Sequence, residues 1–235
     1  MKRIVICGAS SGIGKATALA LSRTGCEVVL AARRRVLLEG LASQCEANGA
    51  KATIFPCDVT NFQECEQLMQ AARDLGPGVE PVLVNSAGVA EFGDFAEMPY
   101  TSVDDQIKTN LLGPIYCCRA VLPWMLASGG GQIINILSIA SKVPLAGSAA
   151  YSASKAGLLM FGKVLAAEYR KAGVRVTAVI PGATDTAIWD DQGFSPDKAD
   201  MLSPDAVAQT VRDMVLMPDD RSIDEITIMP PKGIL

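Results

Sequence analysis

Apolar residues along this chain fall into two alternating kinds of stretch. Short continuous runs, such as RIVIC at 3–7, VVLA at 28–31 and VLV at 82–84, recur at 52–56, 132–137, 174–180 and 223–229. Runs without polar alternation predict strands buried on both faces. Between them, apolar positions at helical spacing occupy 15–24, 34–48, 61–74, 101–127, 151–171 and 204–217. Strand and helix alternate with short connections, so about seven parallel strands should form one doubly wound α/β sheet with helices on both faces. Gly76-Pro77-Gly78-Val79-Glu80-Pro81 reads as a turn, and no linker divides residues 1–235. Ligands of such a sheet sit at the strands' C-terminal edge.

Several notable residues follow strand ends. After residues 3–7 comes Gly8-Ala9-Ser10-Ser11-Gly12-Ile13-Gly14, then a helix. Glycines let a backbone approach a pyrophosphate closely, and the helix N-terminus offers free N–H groups, so strand, turn and helix in this order read as an anion site of a Rossmann-like fold, the alternative being a tight turn with packing glycines. Gly12-Ile13-Gly14-Lys15 also looks like a nucleoside-triphosphate loop, but that motif needs Gly at 9 and Ser or Thr at 16, where Ala9 and Ala16 stand. The second strand closes at Ala32-Arg33-Arg34. An acid there would hold the 2′-hydroxyl of NAD; a neutral residue followed by guanidinium groups favours the 2′-phosphate of NADP(H) over NAD(H). Asp58, followed by Val59, could accept a hydrogen bond from the adenine amino group, or act as an ordinary turn residue. Asn85-Ser86-Ala87-Gly88 offers small side chains where a cofactor could pass.

Tyr151 and Lys155 lie one helical turn apart and would present a phenol beside an ammonium. A neighbouring cation favours the phenolate and should pull the phenol below its ordinary value of about 10, toward the range where proton transfer is effective. Ser138, at the end of the 132–137 strand, could hydrogen-bond a substrate oxygen. Gly113-Pro114 interrupts the 101–127 helix, and the resulting bend should free a carbonyl near Asn110 to bind water. Together these residues outline a carbonyl/alcohol redox site. As an isolated pair, a Tyr and a Lys at this spacing are usually an ordinary surface contact, and it is the rest of the chain that points to chemistry.

Composition narrows the partners. The net charge of −4 argues against nucleic acid or an anionic membrane surface. The absence of histidine removes the commonest metal ligand and general base, and no metal is expected. The seven cysteines show no C-x-x-C spacing and read as reduced cytoplasmic thiols. The N-terminal apolar run, Ile4 to Cys7, is too short for a signal-peptide core. The uncharged run from Ala120 to Ser141 contains Pro123, Gln132 and Asn135 and is not a membrane span.

The sequence CGASSGIG at 7–14, Asp58, NSAG at 85–88, Asn110, Ser138, YSASK at 151–155 and PGATDT at 181–186 closely resemble the short-chain dehydrogenase/reductase family over nearly the whole chain. The resemblance implies Tyr151 as acid/base and Lys155 as the group that lowers its pKa and binds the nicotinamide ribose. Ser138 would polarise the carbonyl, and Asn110 would hold a water in a proton relay. Pro181, Gly182, Thr184 and Thr186 would line the nicotinamide end. It further implies a homodimer or homotetramer paired through helices 101–127 and 151–171, and a substrate lid at about 187–203 that includes Trp189, Asp190, Asp191 and Phe194. Asp190 and Asp191 would disfavour an acidic substrate if they faced the pocket. Three positions depart from the family: Cys7 and Ser86, where Thr and Asn are usual, and the tail from Glu225 to Leu235. The tail weakens an acyl-carrier-protein reductase reading and leans toward small-carbonyl or hydroxy-acid dehydrogenases. A non-catalytic NADP sensor on the same scaffold is the alternative, and an assembly protein built on the long helices a third.

Overall fold

In the first strand, β1 (Lys2–Cys7), the side chains divide between two apolar layers. Ile4 and Ile6 enter one, Val5 and Cys7 the other. This two-sided burial is why the run carries no polar alternation. The structure, a computed structural model, describes residues 1–190, 192 and 195–235. Beside β1 stand β2 (Glu27–Ala32), β3 (Lys51–Pro56), β4 (Glu80–Asn85), β5 (Gly131–Ile136), β6 (Val174–Pro181) and β7 (Glu225–Ile228). All pair in parallel, in the order β3-β2-β1-β4-β5-β6-β7. Helices α1 (Gly12–Leu21), α2 (Arg35–Ala47) and α7 (Pro204–Leu216) cover the Ile4 face. Helices α3 (Phe62–Asp74), α5 (Gly113–Ala127) and α6 (Ala149–Tyr169) cover the Val5 face.

Burying a side chain such as Leu30 or Leu83 contributes roughly 1.5–3 kcal/mol. Helix propensities differ by less than about 1 kcal/mol per residue among ordinary residues and glycine. Tertiary burial therefore sets several boundaries that local pattern misplaces. Helix α1 starts at Gly12 rather than at residue 15, taking two glycines into its first turn. Glu80 and Pro81, expected in a turn, belong to β4 and lie opposite Lys2 and Arg3 of β1. The predicted 101–127 helix divides into α4 (Tyr100–Ile107), a π-helical turn (Lys108–Leu112) and α5. The interruption precedes Gly113-Pro114: the Gly113 N–H donates to the Lys108 carbonyl five residues back. Pro114 has no N–H to offer the Asn110 carbonyl.

Arg3 is a polar exception inside β1, fully buried yet satisfied. Its guanidinium donates to Glu27 Oε2 at 2.6 Å, the Ala72 carbonyl at 2.9 Å and the Gly76 carbonyl at 2.8 Å, tying β1 to β2 and to the end of α3. Burial alone would raise the Glu27 carboxyl, but Arg3 and Lys51 hold it below its ordinary value. All seven cysteines are buried free thiols. Cys7, the first family departure, lies in a string of sulfurs, with Cys7 to Cys117 and Cys117 to Cys65 each at 3.6 Å. Burial pushes the Cys118 thiol up to about 12, so it packs as a small apolar group. No helix among the described residues is long and apolar enough to cross a membrane.

Candidate functional site

Strand order reverses between β1 and β4, and the crevice outside their C-terminal ends is where a doubly wound sheet binds ligands. The glycine turn fills one side of it. Gly8 has φ of +81°, and a β-carbon there would lie 2.5 Å from the Ala87 amide nitrogen. A β-carbon on Gly14 would lie 2.3 Å from the Gly8 carbonyl oxygen. Only glycine permits both approaches. Ser11, the residue before α1, makes no side-chain cap, so the first-turn N–H groups of α1 are free to meet an anion.

A cleft of about 490 Å³ runs from this turn along the sheet edge, bordered by Gly8, Ser10, Ser11, Gly12 and Ile13. Gly14 does not face it and serves the close packing of helix on turn. Arg33 and Arg34 both border the cleft, but in different ways. Arg34 donates to Ser10 Oγ at 2.9 Å and Ser11 Oγ at 3.2 Å, bracing the turn. Arg33 makes no hydrogen bond or ion pair among the described residues. At the far wall, Asp58 and Val59 line the cleft. Asp58 Oδ1 accepts from the Thr60 amide at 2.9 Å and hydroxyl at 2.8 Å, so the turn-residue reading holds for that oxygen. The Asp58 amide donates to Glu64 Oε2 at 2.8 Å, and Asn61 caps α3, which fixes this corner.

One predicted contact is corrected here, and for Asn110 the side chain is set apart from the backbone carbonyl expected to bind water. Asn85 does not reach the cleft: its amide donates to Asn135 Oδ1 at 2.9 Å and to Cys118 Sγ at 3.5 Å, inside the layer between β4, β5 and α5. As the last residue of β4 it alternates away from its neighbours, so Ser86, Ala87 and Gly88 form the wall instead. Asn110 is fully buried, and both protons of its side-chain amide are engaged. Oδ1 accepts from the Val89 amide at 2.9 Å, while Nδ2 donates to the Val89 carbonyl at 2.8 Å and Ser154 Oγ at 3.1 Å. It positions the loop after β4, and that side chain has no donor left for a relay water.

Tyr151 and Lys155 sit on one face of α6, with Lys155 Nζ 5.7 Å from the Tyr151 ring centroid. Both are buried and border the cleft. Lys155 donates to the Ile136 carbonyl at 3.0 Å. A β-carbon on Gly88 would lie 3.6 Å from that ammonium, so glycine leaves it accessible from the wall. The expected lowering of the Tyr151 pKa does not occur. Burial pushes the phenol up to about 12, opposed by the Ser138 hydroxyl. Burial also lowers the Lys155 ammonium to about 8. Desolvation disfavours both charged forms and outweighs the attraction that an exposed pair would show.

On the other side of Tyr151 opens a second cavity of about 400 Å³, containing Ser138, Pro181, Gly182 and Thr184. Ile13, Leu137, Tyr151, Thr186 and Ile188 border both spaces, so the two meet at the phenol. The Thr184 hydroxyl is occupied by the Gly182 carbonyl at 3.0 Å. Trp189 donates to the Thr184 carbonyl at 3.0 Å and faces this second cavity. Asp190 borders the first; Asp191 and Phe194 lie outside the described residues. Sequence reasoning missed Gln192 and Phe92. Gln192 Nε2 donates to the Ala90 carbonyl at 3.0 Å, and its Oε1 accepts from the Phe92 amide at 3.1 Å, joining the segment after β6 to the loop after β4. Phe92 packs edge-on to Tyr151 at 5.7 Å. Neither stands in a local motif, and only the folded chain brings them near the site.

The family model described as short chain dehydrogenase matches residues 2–195. An uncharacterized oxidoreductase of Staphylococcus aureus (strain N315) is 35% identical over 229 residues, 97% of each chain. An alcohol dehydrogenase from the archaeon Thermococcus sibiricus, complexed with 5-hydroxy-NADP, superposes with a TM-score of 0.92 at 27% identity, covering 100% of this chain and 99% of that one. A metagenomic short-chain oxidoreductase in complex with NADP superposes with a TM-score of 0.85 at 34% identity, over 97% of this chain and 96% of that one.

Proposed function

This chain belongs to the short-chain dehydrogenase family, and we propose that it is an NADP(H)-dependent oxidoreductase acting on a carbonyl or secondary alcohol, with Tyr151 as acid/base. The observation that carries the reading is the placement of Tyr151, Ser138 and Lys155 where the two cavities meet. The residues present fit a dinucleotide: a side chain at position 8 or 14 would strike backbone and displace the turn that a pyrophosphate would approach. Ser10 to Ile13, Arg33, Asp58, Ala87 and Gly88 would hold the nucleotide half, and Lys155 and Thr186 the other, with Pro181, Gly182 and Thr184 where the second cavity adjoins it. When bound, the nicotinamide supplies hydride to the substrate carbon or accepts it. Ser138 donates to the substrate oxygen as charge builds there. Tyr151, protonated across the neutral range because burial raises its pKa, gives that oxygen its proton. Lys155 lies beside the phenol and, in its ammonium form, stabilises the phenolate that remains. The Asn110 carbonyl, deprived of the Pro114 N–H, is the group we assign to a relay water.

The two arginines give a test of cofactor choice. Arg33→Ala should weaken NADPH binding about tenfold or more, the loss expected for one charge-assisted hydrogen bond, and leave NADH within about twofold. Arg34→Ala, which loosens the turn itself, should weaken both. Titration of each nucleotide by fluorescence decides it, and equal losses for Arg33→Ala would refute the phosphate role. NADP-bound relatives support this preference.

We also assign a cytoplasmic location, supported by the seven free thiols, a lid function for residues 187–203, and a homodimer or homotetramer. Support for assembly comes from Met160 and Val164, one turn apart on α6 and exposed at 60% and 48%. Light scattering at micromolar concentration should give twice or four times the chain mass; a monomer would reject it.

A further inference from the structure

The second cavity is walled mainly by apolar groups, with hydroxyls of Ser138, Ser148, Tyr151, Thr184 and Thr186 as its polar part. Phe92 and Trp189 lie with ring centroids 5.3 Å apart and an interplanar angle of 32°, forming one aromatic side beside Tyr151. Leu145 comes from the loop before α6. Met229, Ile234 and Leu235 come from the tail that departs from the family pattern. That tail is held in place. The Gly182 amide donates to the Ile228 carbonyl at 2.8 Å, Lys232 pairs with Asp200 at 2.7 Å, and the Gly233 amide donates to the Pro230 carbonyl at 2.9 Å. Gly233, with φ of +83°, turns the chain back toward the cavity.

Among the described residues, no Lys, Arg, Asp or Glu lines this space. Lys142, on the loop after β5, is engaged by Glu225 at 2.6 Å. Lys155 borders the cofactor cleft, not this cavity. A carboxylate brought in with a substrate would lose its hydration with no cation to offset the loss. The hydroxyls of Ser138 and Tyr151 suffice for one carbonyl oxygen. We infer that the substrate is an uncharged ketone or aldehyde, or its alcohol, whose bulky apolar group, an aryl or alicyclic ring, packs between Phe92, Trp189 and the tail. This rests on the oxidoreductase reading above and displaces the hydroxy-acid class suggested by the tail's sequence.

The test uses a matched pair on the full chain with NADPH: methyl benzoylformate and benzoylformate, which share the aryl ketone and differ in one charge. The ester should exceed the acid about 100-fold in kcat/KM, a ratio in keeping with an unpaired charge entering an apolar site. Leu145→Arg, on an irregular loop, should narrow that ratio at least tenfold by giving the carboxylate a partner. An acid turned over within about threefold of the ester overturns the inference, as does a ratio unmoved by Leu145→Arg. The two readings fail separately. If neither compound consumes NADPH, the oxidoreductase reading fails for this class, and quenching of Trp189 fluorescence decides the cavity alone. Quenching by the ester and not the acid, lost in Trp189→Phe, supports it; equal or absent quenching overturns it.

Discussion

Tyr151→Phe should bind NADPH within about threefold of the parent and lose turnover by about a thousandfold, inside the usual span for removing a general acid. The phenol ring is buried, with its edge contact to Phe92 at 5.7 Å, and phenylalanine keeps that packing. Only the hydroxyl is lost, and with it the proton that Tyr151 holds across the neutral range. Binding is measured by NADPH fluorescence and turnover by absorbance with an aryl ketone. Parent-level turnover in the variant would sink Tyr151 as the acid. Tight NADPH binding with no turnover in either protein would instead favour the sensor alternative. The direction of the pKa shift also predicts a pH signature. Reduction needs the phenol, present up to high pH, whereas oxidation needs the phenolate and should accelerate as pH rises.

Gly14→Ala should have the largest effect on stability. By helix propensity alone, alanine in α1 would be worth about 1 kcal/mol in favour of folding. Against this stands a β-carbon 2.3 Å from the Gly8 carbonyl oxygen and 2.9 Å from its carbon, both backbone atoms that cannot swing aside. Overpacking of this kind costs about 1–3 kcal/mol, occasionally more, and here the clash wins. The variant should unfold at lower urea by an amount equal to about 1–2 kcal/mol once the propensity gain is set against the clash, and NADPH affinity should fall because the Gly8 turn is displaced. Gly40→Ala is the control. It lies in α2 with nothing within 4 Å of its β-carbon, and should raise stability by up to about 1 kcal/mol. Equal behaviour of the two variants would show that the close approach at Gly14 does not matter.

Much of the architecture was legible because burial on both faces writes itself into a strand as unbroken apolar runs, and every predicted strand is present. The glycine turn was legible for a similar reason: close backbone approach excludes every other residue type. The places where expectation failed share a cause. Asn85 follows the right strand but alternates into the helix layer, where Asn135 and Cys118 take its amide. Helical spacing correctly set Lys155 beside Tyr151, but spacing is silent on solvent, and burial reversed the direction of the phenol's shift. Of the two arginines, Arg34 alone braces the turn, a choice of rotamer and backbone direction that adjacent identical residues do not reveal.

By itself, then, the sequence determined the alternation of elements, the parallel sheet and the glycine turn, and it brought forward Ser138, Tyr151 and Lys155 as candidates, because each depends on local geometry or on side-chain chemistry. Tertiary structure alone decided which of these side chains face the cleft, how strongly water is excluded from them, and what closes the second cavity. Phe92, Trp189 and Leu235 lie far apart along the chain, and their shared apolar wall arises only when β4, β6 and the tail are brought to one sheet edge. Desolvation and cavity shape are sums over such distant neighbours, which no local stretch of the chain contains.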